Sequence, residues 1–99
     1  MFTVRPSEIH GNGCFANQKL VRGNRFVIPG YRVVEETFRT IKCDDDTIWD
    51  LYPPFCFLNH SDKANARLYR GIDGKFYLSV LKSIAADAEV TINYDQMEM

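Results

Sequence analysis

The chain has 99 residues, 45% of them hydrophobic and 25% charged, with twelve basic and thirteen acidic side chains for a net charge of −1. That length accommodates one domain, residues 1–99, able to bury about 60–65% of its unfolded surface, and the composition is that of a folded globular protein, not a disordered one. Balanced charge argues against direct nucleic-acid contact, which needs a basic stripe to neutralise phosphates.

From the N-terminus, "FTVR" predicts a short strand stopped by Pro6, and "GNG" at Gly11–Gly13 predicts a turn, since glycines reach positive φ without steric cost. "CFANQKLV" leads to a second turn at Arg22–Asn24. "RFVIPGYRVVEETFRTIKC" holds two β-rich runs separated by a bend at Pro29-Gly30. "DDDTIWDLYPP" predicts the one helix of the chain: an aspartate from Asp44–Asp46 caps it, the acidic cluster suits the dipole, and Pro53 ends it. "RLYRGIDGKFYLSVL" reads as a hairpin turning at Asp73-Gly74, and "AEVTINYD" alternates as a half-buried strand.

Three cysteines, Cys14, Cys43 and Cys56, form no CxxC pair. A disulfide framework or zinc site is not indicated, and a reducing compartment is. "MFTVRPSEIHGNG" lacks the apolar run of a signal peptide, and no stretch approaches the length of a membrane span. The expectation is a soluble, intracellular protein without membrane contact. His10 and His60 have no metal-ligand spacing, and the Asp44–Asp46 run lacks the glycine and distal glutamate of a calcium loop, so no metal is expected.

Three polar motifs stand out: "IHGNGCFA", "FLNHSDKANAR" and "AEVTINYD". Singly, each has a plain reading. The first is a hairpin turn, the second a polar turn whose Asn and Ser bond nearby backbone, and Tyr94 in the third is an amphipathic strand residue. Together and in this order they resemble the signature segments of the SET domain, the protein-lysine methyltransferase fold. That family shows G-x-G, then a hydrophobic pair entering N-H-S-C-x-P-N, then E-L-T-x-x-Y. "KLVRGNRFVIPG" is also similar to the segment after its first motif.

The resemblance implies a mainly β fold of the β-clip type: several small sheets, one short helix and a C-terminal pseudoknot that brings the NHS segment beside the Tyr94 strand. It implies that Gly11 and Gly13, with Cys14 and Phe15 after them, contact S-adenosylmethionine, as do Asn59 and His60. Asn65 would brace the loop, and Tyr94 would be the catalytic tyrosine beside the methyl-transfer channel. The implied partner is a lysine-bearing protein or peptide. Such chemistry needs a neutral amine, and deprotonating a lysine of pKa near 10.4 at pH 7 costs roughly 4–5 kcal/mol. A sulfonium about 4 Å away, at an effective dielectric of 20, disfavours the ammonium by about 4 kcal/mol.

The sequence departs from the family pattern in four places. Only "DQMEM" follows Tyr94, where many members continue into a segment that closes the lysine channel; the expectation is a minimal domain without pre-SET or post-SET regions. Ile28 stands where a channel tyrosine is frequent, and Asp62 and Ala64 replace the motif's cysteine and proline, which loosens the loop. The insertion between Gly30 and Asn59 is short. Tyr52, Tyr69 and Tyr77 are candidates for the missing aromatic wall, and a homodimer sharing pocket walls is the assembly this suggests. Two functions follow: a protein-lysine methyltransferase, or a catalytically inactive SET-like interaction module.

Overall fold

The structure, a computed structural model, describes residues 1–97. It is mainly β, built as three small sheets. Strands β1 (Phe2–Pro6), β2 (Asn12–Ala16), β10 (Glu89–Ile92) and β7 (Asn59–His60) form the first, in the order β1-β2-β10-β7. The second is β3 (Arg25–Ile28), β9 (Phe76–Val80) and β8 (Ala66–Arg70), and the third is β4 (Gly30–Val33), β6 (Ile48–Leu51) and β5 (Ile41–Lys42). Two single-turn 3-10 helices, Phe55–Phe57 and Tyr94–Gln96, complete the secondary structure of the described residues.

The second sheet follows strand periodicity closely. Phe76, Leu78 and Val80 of β9, with Ala66 and Leu68 of β8, face inward and are buried. The intervening side chains face outward and form a ladder across the strands. Arg25 lies over the Tyr77 ring at 4.7 Å, Tyr77 stacks on Tyr69 at 5.4 Å, and Arg67 lies over Tyr69 at 5.2 Å. The β8–β9 hairpin closes where expected, with Gly71 N–H donating to Lys75 O and Gly74 N–H to Gly71 O. The interior is continuous with Leu20, Ile84, Val90 and Cys14, which are almost completely shielded from solvent.

The helix expected over "DDDTIWDLYPP" is instead a hairpin and a strand. Cys43 N–H donates to Thr47 O and Asp46 N–H to Cys43 O, so the three aspartates make the β5–β6 turn. Asp46 has φ of +64°, a conformation that short polar side chains tolerate. Ile48–Leu51 then pairs on both sides, with β4 (Tyr31↔Asp50, Val33↔Ile48) and with β5. Two partner strands outweigh cap-like residues whose helix could run barely two turns before Pro53. The short helices lie elsewhere.

The arrangement that positions the site is the placement of β10. On one side it pairs antiparallel with β2 (Glu89↔Phe15, Val90↔Cys14), and on the other it pairs parallel with β7 (Thr91↔Asn59, Ile92↔His60). The NHS segment therefore does lie beside the strand leading to Tyr94. Among the described residues no helix is long and apolar enough to cross a membrane.

Candidate active site

Residues Asn59 and His60 are neighbours on a strand, so their side chains point to opposite sides. The Asn59 amide reaches back to the β1–β2 connection. Its Nδ2 donates to His10 O and Asn12 O, each at 3.1 Å, and to Glu89 Oε2 at 2.8 Å. Glu89 also accepts the Ser7 hydroxyl at 2.7 Å. One buried amide and one carboxylate thus tie together the loop at 7–12, β7 and β10, segments far apart in sequence. Asn65 works similarly on the other flank: its side-chain oxygen accepts Thr91 N–H at 2.9 Å and its Nδ2 donates to Glu89 O at 2.9 Å. That amide substitutes for a strand partner along β10.

The two glycines of "GNG" have different jobs. Gly11, with φ of +46°, ends the turn begun at Ser7, and a Cβ there would meet nothing within 4 Å. Gly13 lies inside β2, and a Cβ there would collide with the Glu89 carboxylate. Its missing side chain makes room for a group of this protein.

Tyr94 opens the second 3-10 helix and is held at three points by residues 58–60. Its hydroxyl donates to Leu58 O at 2.7 Å, its N–H to His60 Nδ1 at 3.0 Å, and its ring packs on the His60 imidazole at 5.2 Å. Partial burial raises the phenol pKa, so Tyr94 stays neutral through the physiological range.

Beside these groups is a cavity of about 470 Å³, within the usual range for small-molecule sites. Gly11, Asn12, Asn59 and Tyr94 all line it, with Asn59 bonded directly to Asn12 O. Phe55 and Phe57, from the first 3-10 helix, and Phe38, from the loop before β5, supply further aromatic wall. Phe38 is 98% exposed and stands at the rim. Arg39, next to it, makes two hydrogen bonds to Asp50 Oδ2, at 3.1 and 2.9 Å, and Tyr31 donates to the same oxygen at 3.2 Å. Those bonds anchor the rim loop to β6.

Of the residues singled out in the sequence, the structure brings Gly11, Asn59 and Tyr94 to the cavity and leaves four outside its lining. Gly13 is closed off by Glu89. Cys14 is fully buried and paired on both strand edges; burial, with lesser contributions from Glu89 and Cys56, pushes its thiol up to about 12, which makes it inert. Phe15 is also paired on both edges, and its ring lies under Arg5 at 5.6 Å. His60 faces Tyr94.

The proposed substitute aromatics are elsewhere too: Tyr69 and Tyr77 stand on the outer ladder, and Tyr52 packs against Tyr31 at 4.9 Å. Ile28 is a buried core residue. Phe38, Phe55, Phe57 and the Glu89 hub were not singled out in the sequence. The cue for Glu89 was its place in "AEVTINYD", two residues before the paired Thr91.

A sequence model of the SET domain matches residues 36–95. The chain belongs to the SET domain family. No curated protein sequence matches the chain. Its fold is nevertheless shared with solved SET-type structures at low identity. A Plasmodium falciparum protein assigned as a histone methyltransferase superposes with a TM-score of 0.73 at 16% identity, covering 94% of this chain and 91% of that one. The SET domain of the RIZ1 tumor suppressor (PRDM2) gives 0.70 at 17% identity, with 96% and 69% covered. The methyltransferase domain of human PR domain-containing protein 2 gives 0.69 at 15% identity, with 92% and 74% covered. In this SET domain the cavity draws on all three segments that carried the resemblance, Phe57 among them, with Phe38, Phe55 and Leu68 among the lining residues from outside them. Among the described residues no group of three or more His, Cys, Asp or Glu side chains is placed to hold a metal ion.

Proposed function

We propose that this SET domain transfers a methyl group from S-adenosylmethionine to a lysine side chain of a protein substrate. The observation that carries the reading is the convergence of Gly11, Asn59 and a neutral, hydrogen-bonded Tyr94 on one aromatic-walled cavity. The cavity suits the cofactor: aromatic faces attract a sulfonium cation, and the few polar groups are placed at its borders. Gly11, Asn12, Asn59 and Tyr94 would hold it. When bound, S-adenosylmethionine supplies the electrophilic methyl group and a positive charge that favours the neutral amine.

The chain's own residues do the rest. The Tyr94 proton is committed to Leu58 O, so the phenolic oxygen and that carbonyl are both acceptors for the N–H groups of an incoming amine. With its pKa raised, Tyr94 orients the amine and does not act as a base. Asn59 holds the loop at residues 10–12 in place, and the phenylalanines exclude water, which strengthens each remaining polar contact.

Calorimetric titration with S-adenosylmethionine, paired with transfer of a labelled methyl group to lysine-containing peptides, tests this. The expected result is binding by the folded chain, with Tyr94→Phe retaining binding but losing at least tenfold in kcat, about 1.4 kcal/mol of orientation. A folded chain that binds no cofactor would overturn the proposal and favour an interaction module, for which the exposed Phe38 at the cavity would be a contact residue.

A further inference from the structure

We infer that Asp62, acting through His60, is the positioning residue that sets Tyr94 at the cavity, and that protonating His60 releases it. The inference rests on the reading of Tyr94 given above for its functional consequence, but its structural content stands on the hydrogen bonds.

A neutral imidazole carries one N–H and one lone pair. His60 Nδ1 lies 3.0 Å from the Tyr94 backbone nitrogen. An amide N–H only donates, so Nδ1 must be the acceptor and the ring proton must sit on Nε2. That nitrogen lies 3.0 Å from Asp62 Oδ1, to which it donates. A carboxylate at Nε2 therefore selects the one tautomer able to hold Tyr94.

The geometry divides the pair by exposure: the Asp62 side chain is 90% exposed and that of His60 35%. One end of the relay meets solvent and the other meets the site. Because Leu58 O takes the Tyr94 hydroxyl, residues 58 and 60 fix the two ends of the same tyrosine, while Asn59 between them faces the other way. Asp62 stands at the position where the motif resembled here has cysteine, so this chain has a carboxylate where the pattern would give a weak sulfur acceptor.

A second proton on His60 reverses the contact. Nδ1–H would then face Tyr94 N–H, two donors with no acceptor between them. The groups facing the imidazole are the Asp62 carboxylate from its own loop and the amide and phenol ring of Tyr94 from the C-terminal segment.

Nitrogen-15 spectra of the full chain, following the His60 ring nitrogens and the Tyr94 amide on acidification, test this without any cofactor. The expected result is the Nε2–H tautomer at neutral pH and a Tyr94 amide resonance that shifts with the same midpoint as the imidazole. Asp62→Asn keeps an acceptor for Nε2–H, so the tautomer and the Tyr94 amide resonance should both stay in place at neutral pH. Asp62→Ala should mix the tautomers and shift the Tyr94 amide at neutral pH, with a several-fold lower kcat if transfer is measured. An Nδ1–H tautomer in the parent chain, a Tyr94 amide that ignores the His60 titration, or an unchanged tautomer and Tyr94 amide in Asp62→Ala would each overturn the inference. Absence of methyl transfer alongside the expected spectra would count against the proposed function only.

Discussion

The β3-β9-β8 sheet and the junction of β2, β7 and β10 solve the same problem by different means. In the sheet, alternation does the work: apolar side chains inward, an Arg-Tyr-Tyr-Arg ladder outward, and a tight hairpin joining two of the strands. At the junction the strands are only two to five residues long, and side-chain amides replace much of the missing ladder. Asn59 ties the loop at residues 10–12 to β10, and Asn65 completes the edge of β10. The difference teaches that a buried polar residue can specify where segments cross, whereas apolar burial mainly sets how firmly they stay together. The cavity belongs to the junction.

The comparison can be broken most forcefully in the sheet. Leu78→Ala removes a fully buried side chain and should cost about 2–5 kcal/mol in urea unfolding, while leaving the geometry of the surviving cavity intact in the folded fraction. At the junction, Asn59→Ala should cost about 1–3 kcal/mol by leaving His10 O, Asn12 O and Glu89 short of a donor. Unlike the sheet variant, it should also weaken S-adenosylmethionine binding under conditions where the protein is fully folded; equal binding by both variants would erase the distinction.

Gly13→Ala sharpens the point. It should destabilise by about 1–3 kcal/mol through overpacking against Glu89. In a Glu89→Ala background the same change should cost clearly less, and an additive double-mutant cycle would show that the close approach is not the reason for glycine.

The smallest effect concerns the β5–β6 turn, which the Arg70–Asp45 ion pair ties to β8. Hydrogen bonds from Thr47, then the Arg70 charge, hold the Asp45 carboxyl down at about 2. Because the folded value lies below the unfolded one near 3.9, this contribution is complete above that pH and is lost as pH falls towards about 2. Asp45→Asn should flatten that limb of the acid-unfolding curve by lowering stability slightly in the neutral region, where the contribution is complete, with little change near pH 2.

These regions also differ in how far the sequence discloses them. Asp73-Gly74, Pro29-Gly30 and the alternation of "AEVTINYD" are local signals, and the structure has a hairpin, a bend and a strand there. "DDDTIWDLYPP" misled because cap and stop residues are local while its partner, β4, lies some twenty residues earlier. The tyrosine candidates failed on parity. With Leu68 and Leu78 taken as inward, Tyr69 and Tyr77 must face solvent, but without a register nothing fixed which face was which. Phe38, Phe55 and Phe57 come from a loop and a 3-10 turn, which have no periodicity to read. The polar motifs were visible from the start; that Asn59 and Glu89 would spend their hydrogen bonds on each other and on the loop required coordinates.

The position of β10 carries a consequence for synthesis. A ribosome delivers the chain from its N-terminus, and the β1–β2 and β8–β9 hairpins can close as soon as their own residues emerge. The strand that β2 and β7 share arrives only with residues 89–92, and Tyr94 follows it. A nascent chain short of that point lacks Ile92 and Tyr94 of the cavity lining, however well its hairpins are formed. Assembly of the cavity is therefore timed by translation itself, and anything that stabilised the fold by binding there could act only once Tyr94 had been added.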